Sequence, residues 1–418
     1  MANRGNNIRR KPYIPGRPTI TTPTKRKTPL IVSILLIFLI VAAVLSGKYF
    51  SDRGYFQKED NALNSTDPLL EYGTSEIIGE DGNPIQESED SAENYDSEVY
   101  AAERDITNAE LQTEGNLIIV GDSAYRAYTF SEESSQNYID LLTDFQFSLG
   151  DSVSFANMVI PTSTDIMLPQ TYLANLKTSD QQKALDYLYV SLSITAPDIK
   201  IISIFDILKA NCNKDIYFKT DRNWTSLGAY YAYRKFLASK NVVPLLPSEF
   251  DENFTDGFLG SLYTQSNYIE ALNKPETIVS YQPVEKCALY MYYGSSELQR
   301  FPLIWNVIDY VSTQKYSTFL GGDSAYGEIV NESITDGSSI LVIKDSYGSS
   351  FVPLLAAHYQ TIYVVDYRYY ERSVSNLIKE NGIGEILMLN HIESTSDPDA
   401  INWFKTVLNV EGDGSGEE

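Results

Sequence analysis

Six short aliphatic runs constrain the fold of this 418-residue chain more than any other feature. They are Leu117–Val120 before Gly121, Val153–Ile160 before Pro161, Ile199–Ile204, Ser339–Ile343 before Lys344, Ile362–Val365 before Asp366 and Glu385–Leu389 before Asn390. Runs this continuous do not alternate in polarity, so each strand must be buried on both faces. The 15 or more residues between successive runs leave room for a helix. That is the pattern of a mainly parallel sheet sandwiched by helices. Sites in such folds lie beyond the carboxyl ends of the strands, which directs attention to Asp122-Ser123, Thr162-Ser163, Asp345-Ser346, Asp366 and His391. The Tyr- and Phe-rich stretch from 245 to 335 is less regular and reads as a cap or lateral insertion.

The sequence before this domain has a different character. Residues 1–29 carry eight Lys/Arg, no acidic residue and prolines at 12, 15, 18, 23 and 29, and read as a cytoplasmic basic tail. Leu30–Ser46 has no charge and would span about 26 Å as a helix, close to the roughly 30 Å of a bilayer core. Residues 30–47 are therefore expected to form a transmembrane helix. Lys25-Arg26-Lys27 places the N-terminus in the cytoplasm and the rest of the chain outside. A cleaved signal peptide is the competing reading, although no small-x-small site followed by a polar start is evident. Residues 48–107 read as an acidic disordered linker, because the stretch from 51 to 105 holds 16 Asp/Glu and too few large apolar residues to offset its ordering entropy. The globular domain is expected over 108–410, with a disordered tail over 411–418.

The net charge of −24 hides a sharper split: without the eight tail cations, 24 Lys/Arg face 56 Asp/Glu, or −32. Such a surface disfavours nucleic acid and anionic wall polymers as ligands unless a local basic groove exists. Divalent cations or neutral glycans are easier partners; with only two cysteines and two histidines, Cys/His zinc-finger spacing is absent and no structural zinc site is expected, and no metal or cofactor is assigned. Cys212 and Cys287 both fall on the exported side, where a disulfide could persist, but nothing in the sequence pairs them.

Two segments carry the chemistry. ILVIKDSYG at 340–348 delivers a serine from a buried strand into a tight turn, as nucleophilic serines are presented in α/β hydrolases. TDRNW at 220–224 lies where a base could follow an aspartate. Longer stretches around both resemble the DHHW protein family: VIPTSTDIMLP at 159–169, IYFKTDRNWTSLGAYYAYRKF at 216–236, FLGSLYTQS at 258–266, FLGGD at 319–323 and ILVIKDSYGSSFVPLLAAHYQTIYVVDYRYY at 340–370. These are exported relatives of the SGNH-hydrolase-like domains that O-acetylate alginate and other bacterial polysaccharides.

The resemblance implies an SGNH-like three-layer α/β/α domain, a nucleophilic serine, and an Asp-x-His pair supplying base and orienting carboxylate. Ser346 matches the serine and Asp221 the aspartate. Asn223 stands at the histidine and Arg222 replaces the histidine before it. An amide cannot accept the serine proton, so the chain either recruits another base or is a pseudoenzyme. His391, after a late strand, is the candidate surrogate base, whereas His358 reads as structural. In an active site the N–H groups of Tyr347 or Gly348 would hold the oxyanion. Gly121-Asp122-Ser123 resembles the opening block of conventional SGNH hydrolases, and its other reading is a simple strand-to-helix cap. Trp224 is expected to pack, Thr225 or Ser226 to cap the next helix, and Tyr230, Tyr231 and Tyr233 to lie in the core. Two functions follow: a membrane-anchored extracytoplasmic domain in surface-polysaccharide O-acetylation beside a membrane-bound O-acyltransferase, or a non-enzymatic scaffold that binds a surface glycan or partner in cell-envelope assembly.

Overall fold

The protein is described by a computed structural model covering residues 109–150 and 152–409. The expected basic tail, transmembrane helix, acidic linker and 411–418 tail lie outside the described residues. Among the described residues no helix is long and apolar enough to cross a membrane.

Among the described residues the strands are β1 (Leu111–Glu114), β2 (Leu117–Val120), β3 (Ser123–Arg126), β4 (Ser154–Ile160), β5 (Lys200–Ile201), β6 (Phe250–Phe258), β7 (Glu276–Pro283), β8 (Cys287–Tyr292), β9 (Leu298–Phe301), β10 (Tyr326–Asn331), β11 (Ser339–Lys344), β12 (Thr361–Asp366) and β13 (Glu385–His391). Eight of them form one sheet in the order β5-β4-β13-β11-β12-β10-β8-β9. From β5 to β12 every pairing is parallel, and from β12 to β9 every pairing is antiparallel. The sheet is therefore mixed. Five of the six aliphatic runs supply its parallel half, as their polarity pattern requires: β4, β11 and β13 are buried at almost every position.

The helices that position the site are α1 (Glu132–Leu149), α2 (Gln181–Thr195), α3 (Ser226–Ala238), α4 (Gly348–Leu355), α5 (Val374–Asn381) and α6 (Pro398–Val407). The chain moves one way along the sheet from β11 through α4 to β12, and the other way from β12 through α5 to β13. Right-handed crossovers then place α4 and α5 on opposite faces. α3 packs on α4, while α1 packs on α2 and α6, so both faces of the parallel half are covered.

Two expectations change. Leu117–Val120 is not a strand of the large sheet. It is the middle strand of an antiparallel three-stranded sheet, β1-β2-β3. Gly121 takes φ +61°, which lets the chain reverse at once into β3. The stretch from 245 to 335 is also more than a cap: β6 and β7 pair as a separate ribbon, but β8, β9 and β10 extend the large sheet itself. Tyr230, Tyr231 and Tyr233 are buried in the core, and Thr225 Oγ1 caps α3 by accepting from Gly228 N. Cys212 and Cys287 are both unbridged.

Candidate active site

The parallel register pairs Lys344 of β11 with Leu389 of β13, so Asp345-Ser346 emerges beside Asn390-His391 at one edge of the sheet. Buried Asp345 builds the turn into α4. Its Oδ1 accepts Tyr347 N at 2.9 Å, and its backbone carbonyl accepts Gly348 N at 3.0 Å. A Cβ on Gly348 would lie 2.6 Å from Lys344 Cβ, so only glycine closes the turn this tightly. The two N–H groups expected to hold an oxyanion are thus engaged in shaping the turn.

The turn offers Ser346 to the loop before α3. Ser346 Oγ donates to Asn223 Oδ1 at 3.0 Å, and Asn223 Nδ2 donates to Asp221 Oδ1 at 2.7 Å. Asp221 is buried and, as a carboxylate, only accepts, which fixes the amide with its nitrogen towards Asp221. The Asp221 carboxylate is held from behind by Asn223 N at 2.8 Å and Ser261 N at 2.6 Å. Two bonds clamp this loop to the nucleophile turn: Trp224 Nε1 donates to Tyr347 O at 2.8 Å, and Tyr347 Oη donates to Arg222 O at 2.5 Å. Trp224, fully buried, also stacks on Phe351 of α4.

His391 is the last residue of β13, and it lines the same cleft as Ser346, a space of about 580 Å³. Its Nδ1 lies 2.7 Å from Asp345 Oδ2, which also accepts His391 N at 2.9 Å and Tyr367 Oη at 3.0 Å. Burial alone would raise the Asp345 carboxyl; the charge and hydrogen bonds of His391, with Arg368 nearby, outweigh burial and hold it well below the usual carboxylate range. The imidazole stacks on Tyr347 with a centroid separation of 5.4 Å, and its Nε2 is 3.6 Å from Glu393 Oε2. No hydrogen bond joins Ser346 to His391. The structure therefore brings Ser346, Asn223 and Asp221 into one relay, with His391 at the same cleft but outside it.

The sequence reading passed over Asp345 as the partner of His391. It precedes the serine by one residue, so it was visible, but only the β11–β13 register brings it to the histidine. Lys344 was missed as well: it is buried and paired with Asp366 at 3.1 Å, tying the ends of β11 and β12 together. At the other strand ends and at His358 the side chains are engaged within the fold, and Gly121-Asp122-Ser123 leads into a strand and not into the helix that a strand-to-helix cap would start. Ser123 opens β3 and donates to Asp122 Oδ1 at 3.2 Å, Thr162 N and Oγ1 are held by Gln181, and His358 Nε2 meets Tyr233 Oη at 2.6 Å. Among the described residues no group of His, Cys, Asp and Glu could hold a metal ion.

Comparison with known proteins gives the family and the fold. The DHHW protein family matches residues 83–365, and the chain belongs to that family. A DHHW family protein from Eubacterium siraeum superposes with a TM-score of 0.64 at 25% identity, over 72% of this chain and 98% of the other. PatB1 of Bacillus cereus, solved with a sulfonyl adduct, superposes with a TM-score of 0.56 at 20% identity, over 72% and 99%. The O-acetyltransferase domain of Pseudomonas putida AlgJ gives a TM-score of 0.40 at 12% identity, over 71% and 99%. No curated protein matches the sequence.

Proposed function

We propose that this chain is a membrane-anchored, extracytoplasmic DHHW domain associated with O-acetylation of a cell-surface polysaccharide, and that its own Ser346 chemistry is impaired. Membership of the DHHW family, together with the family's resemblance to polysaccharide O-acetylation domains, supports the polysaccharide context. One observation carries the impairment: the Asn223 amide occupies the relay, taking the Ser346 proton donor on Oδ1 and giving Nδ2 to Asp221. A working triad needs a group there that binds the serine proton in the transition state, and a carboxamide oxygen is far too weak a base. Losing such a base costs about 5 to 8 kcal/mol of transition-state stabilisation. In this reading the family's nucleophile and aspartate persist as architecture, Asp221 orienting an amide where it would orient an imidazole. His391, bonded to Asp345 and with Glu393 3.6 Å from its Nε2, supplies acid–base groups at the same cleft, and Ser346 Oγ is hydrogen-bonded to Asn223 and not to them.

A sulfonyl fluoride tests this without knowledge of the glycan, and the sulfonyl adduct of PatB1 recommends the probe. Ser346 Oγ attacks sulfur, fluoride leaves, and the serine proton must go to a base. We expect slow labelling and little turnover of aryl acetates or acetylated sugars by the full-length protein near pH 7. Asn223→His, alone or with Arg222→His, should raise both by at least about 100-fold, the lower range of general-base catalysis. Robust wild-type turnover that His391→Ala abolishes would refute impairment and make His391 the base. Turnover unchanged by Ser346→Ala would refute the site.

A further inference from the structure

The cleft beside Ser346 is lined by three arginines, and their partners differ. Arg368 is spent internally: Nε and Nη2 donate to Asp366 at 2.9 and 2.7 Å, and Nη2 reaches Asp323 at 2.8 Å. Arg126 is half-spent, with Glu393 at 3.5 Å and a buried Nε that has no hydrogen-bond partner. The Arg222 guanidinium makes no hydrogen bond and no ion pair with any described residue, although its backbone is pinned by Tyr347 Oη. It is only partly exposed and faces the cleft.

A guanidinium kept partly out of water without a carboxylate costs free energy. In a chain with 56 Asp/Glu against 32 Lys/Arg, a local partner would be easy to supply. Leaving the fork open makes sense where the partner arrives with a ligand, because guanidinium matches carboxylate and phosphate oxygens bidentately. Across the same cleft Trp403 stands 40% exposed, an apolar surface of the size of a sugar ring, beside Tyr369, one face of which carries the Arg368 guanidinium at 5.0 Å. The cleft volume of about 580 Å³ suits a short oligosaccharide segment.

We infer that the Ser346 cleft binds a glycan bearing an anionic group, carboxylate or phosphate, and that Arg222 is the residue that reads the charge. The overall acidity of the chain repels polyanions at long range, and Glu393 and Asp397 also line the cleft, so the anion must be drawn by the open Arg222 fork itself. The inference rests on the reading of the cleft as a glycan site, and its test uses binding, not turnover. Full-length protein is titrated with an oligogalacturonate, with the same oligomer reduced at its carboxyls to a neutral sugar, and with an oligo(glycerol phosphate). Calorimetry or tryptophan fluorescence reports the affinity. An anionic oligomer should bind at least about 10-fold more tightly than the neutral one, a difference of about 1.4 kcal/mol. Arg222→Gln, which keeps the pinned backbone, should remove the preference, and Arg222→Lys should retain part of it. Which anionic oligomer binds decides between carboxylate and phosphate. Equal affinity for charged and neutral oligomers, or a preference that survives Arg222→Gln, overturns the assignment of Arg222 while leaving a glycan site standing. No binding of any of the three overturns both.

Discussion

An imidazole at position 223 would donate to Asp221 from one ring nitrogen and accept from Ser346 on the other; the amide makes both bonds with its nitrogen and oxygen. Geometry therefore survives where basicity does not, which is why the site looks assembled. Asp345 is the opposite case, a carboxylate whose electrostatics are intact. It accepts from Tyr347 N, from His391 N and Nδ1, and from Tyr367 Oη. In Asp345→Asn one amide nitrogen must face donors, so unfolding free energy near pH 7 should drop by about 2 to 4 kcal/mol. The pH dependence has a definite sign. The folded-state value lies below the ordinary one, so the stabilisation is complete above about pH 4 and is lost as pH falls further. Denaturant titrations of both proteins at about pH 5 and about pH 3 should show the gap narrowing in acid; a gap that stays constant between them would contradict a depressed Asp345 carboxyl.

Elements that were legible in the sequence are those whose burial is two-sided. β4, β11, β12 and β13 were visible because continuous aliphatic runs have no other economical use. β2 has the same composition, and misled because nothing in LIIV distinguishes a central parallel strand from the middle of a small antiparallel sheet. Only the turn at Gly121-Asp122 settles it. The two halves of the candidate site were legible as motifs, but their junction was not: it depends on Gly260-Ser261, the start of the short helix Ser261–Gln265 between β6 and β7. Gly260 lies against the Asp221 backbone, where an added Cβ would be 2.2 Å from Asp221 Cβ and 2.5 Å from Thr220 O. Gly260→Ala must displace one of these segments, and the Ser261 N bond to Asp221 with it. A loss of about 1 to 3 kcal/mol in stability is expected. In an Asn223→His background the same change should also reduce sulfonyl labelling of Ser346. Labelling and melting temperature both unchanged would mean that this contact does not hold the aspartate.

At the scale of the whole molecule, charge and hydropathy assign separate tasks to separate stretches of sequence. The eight cations of residues 1–29, the uncharged Leu30–Ser46 and the 16 acidic residues between 51 and 105 form a gradient that suits a membrane anchor followed by an extended stalk. We propose that arrangement for the full chain. Among the described residues the apolar strands of the parallel half are enclosed by helices and no helix is long and apolar enough to cross a membrane. Deleting residues 1–50 should therefore yield a soluble, folded protein, while the full chain sediments with membranes and resists a high-salt wash. The salt wash matters because the basic tail alone could hold the chain to an anionic surface electrostatically, and such binding is screened at high ionic strength. If the truncated chain stays with washed membranes, the anchor lies elsewhere; if the full chain is released by salt, Leu30–Ser46 does not span the bilayer and the extracytoplasmic placement of the Ser346 cleft loses its support.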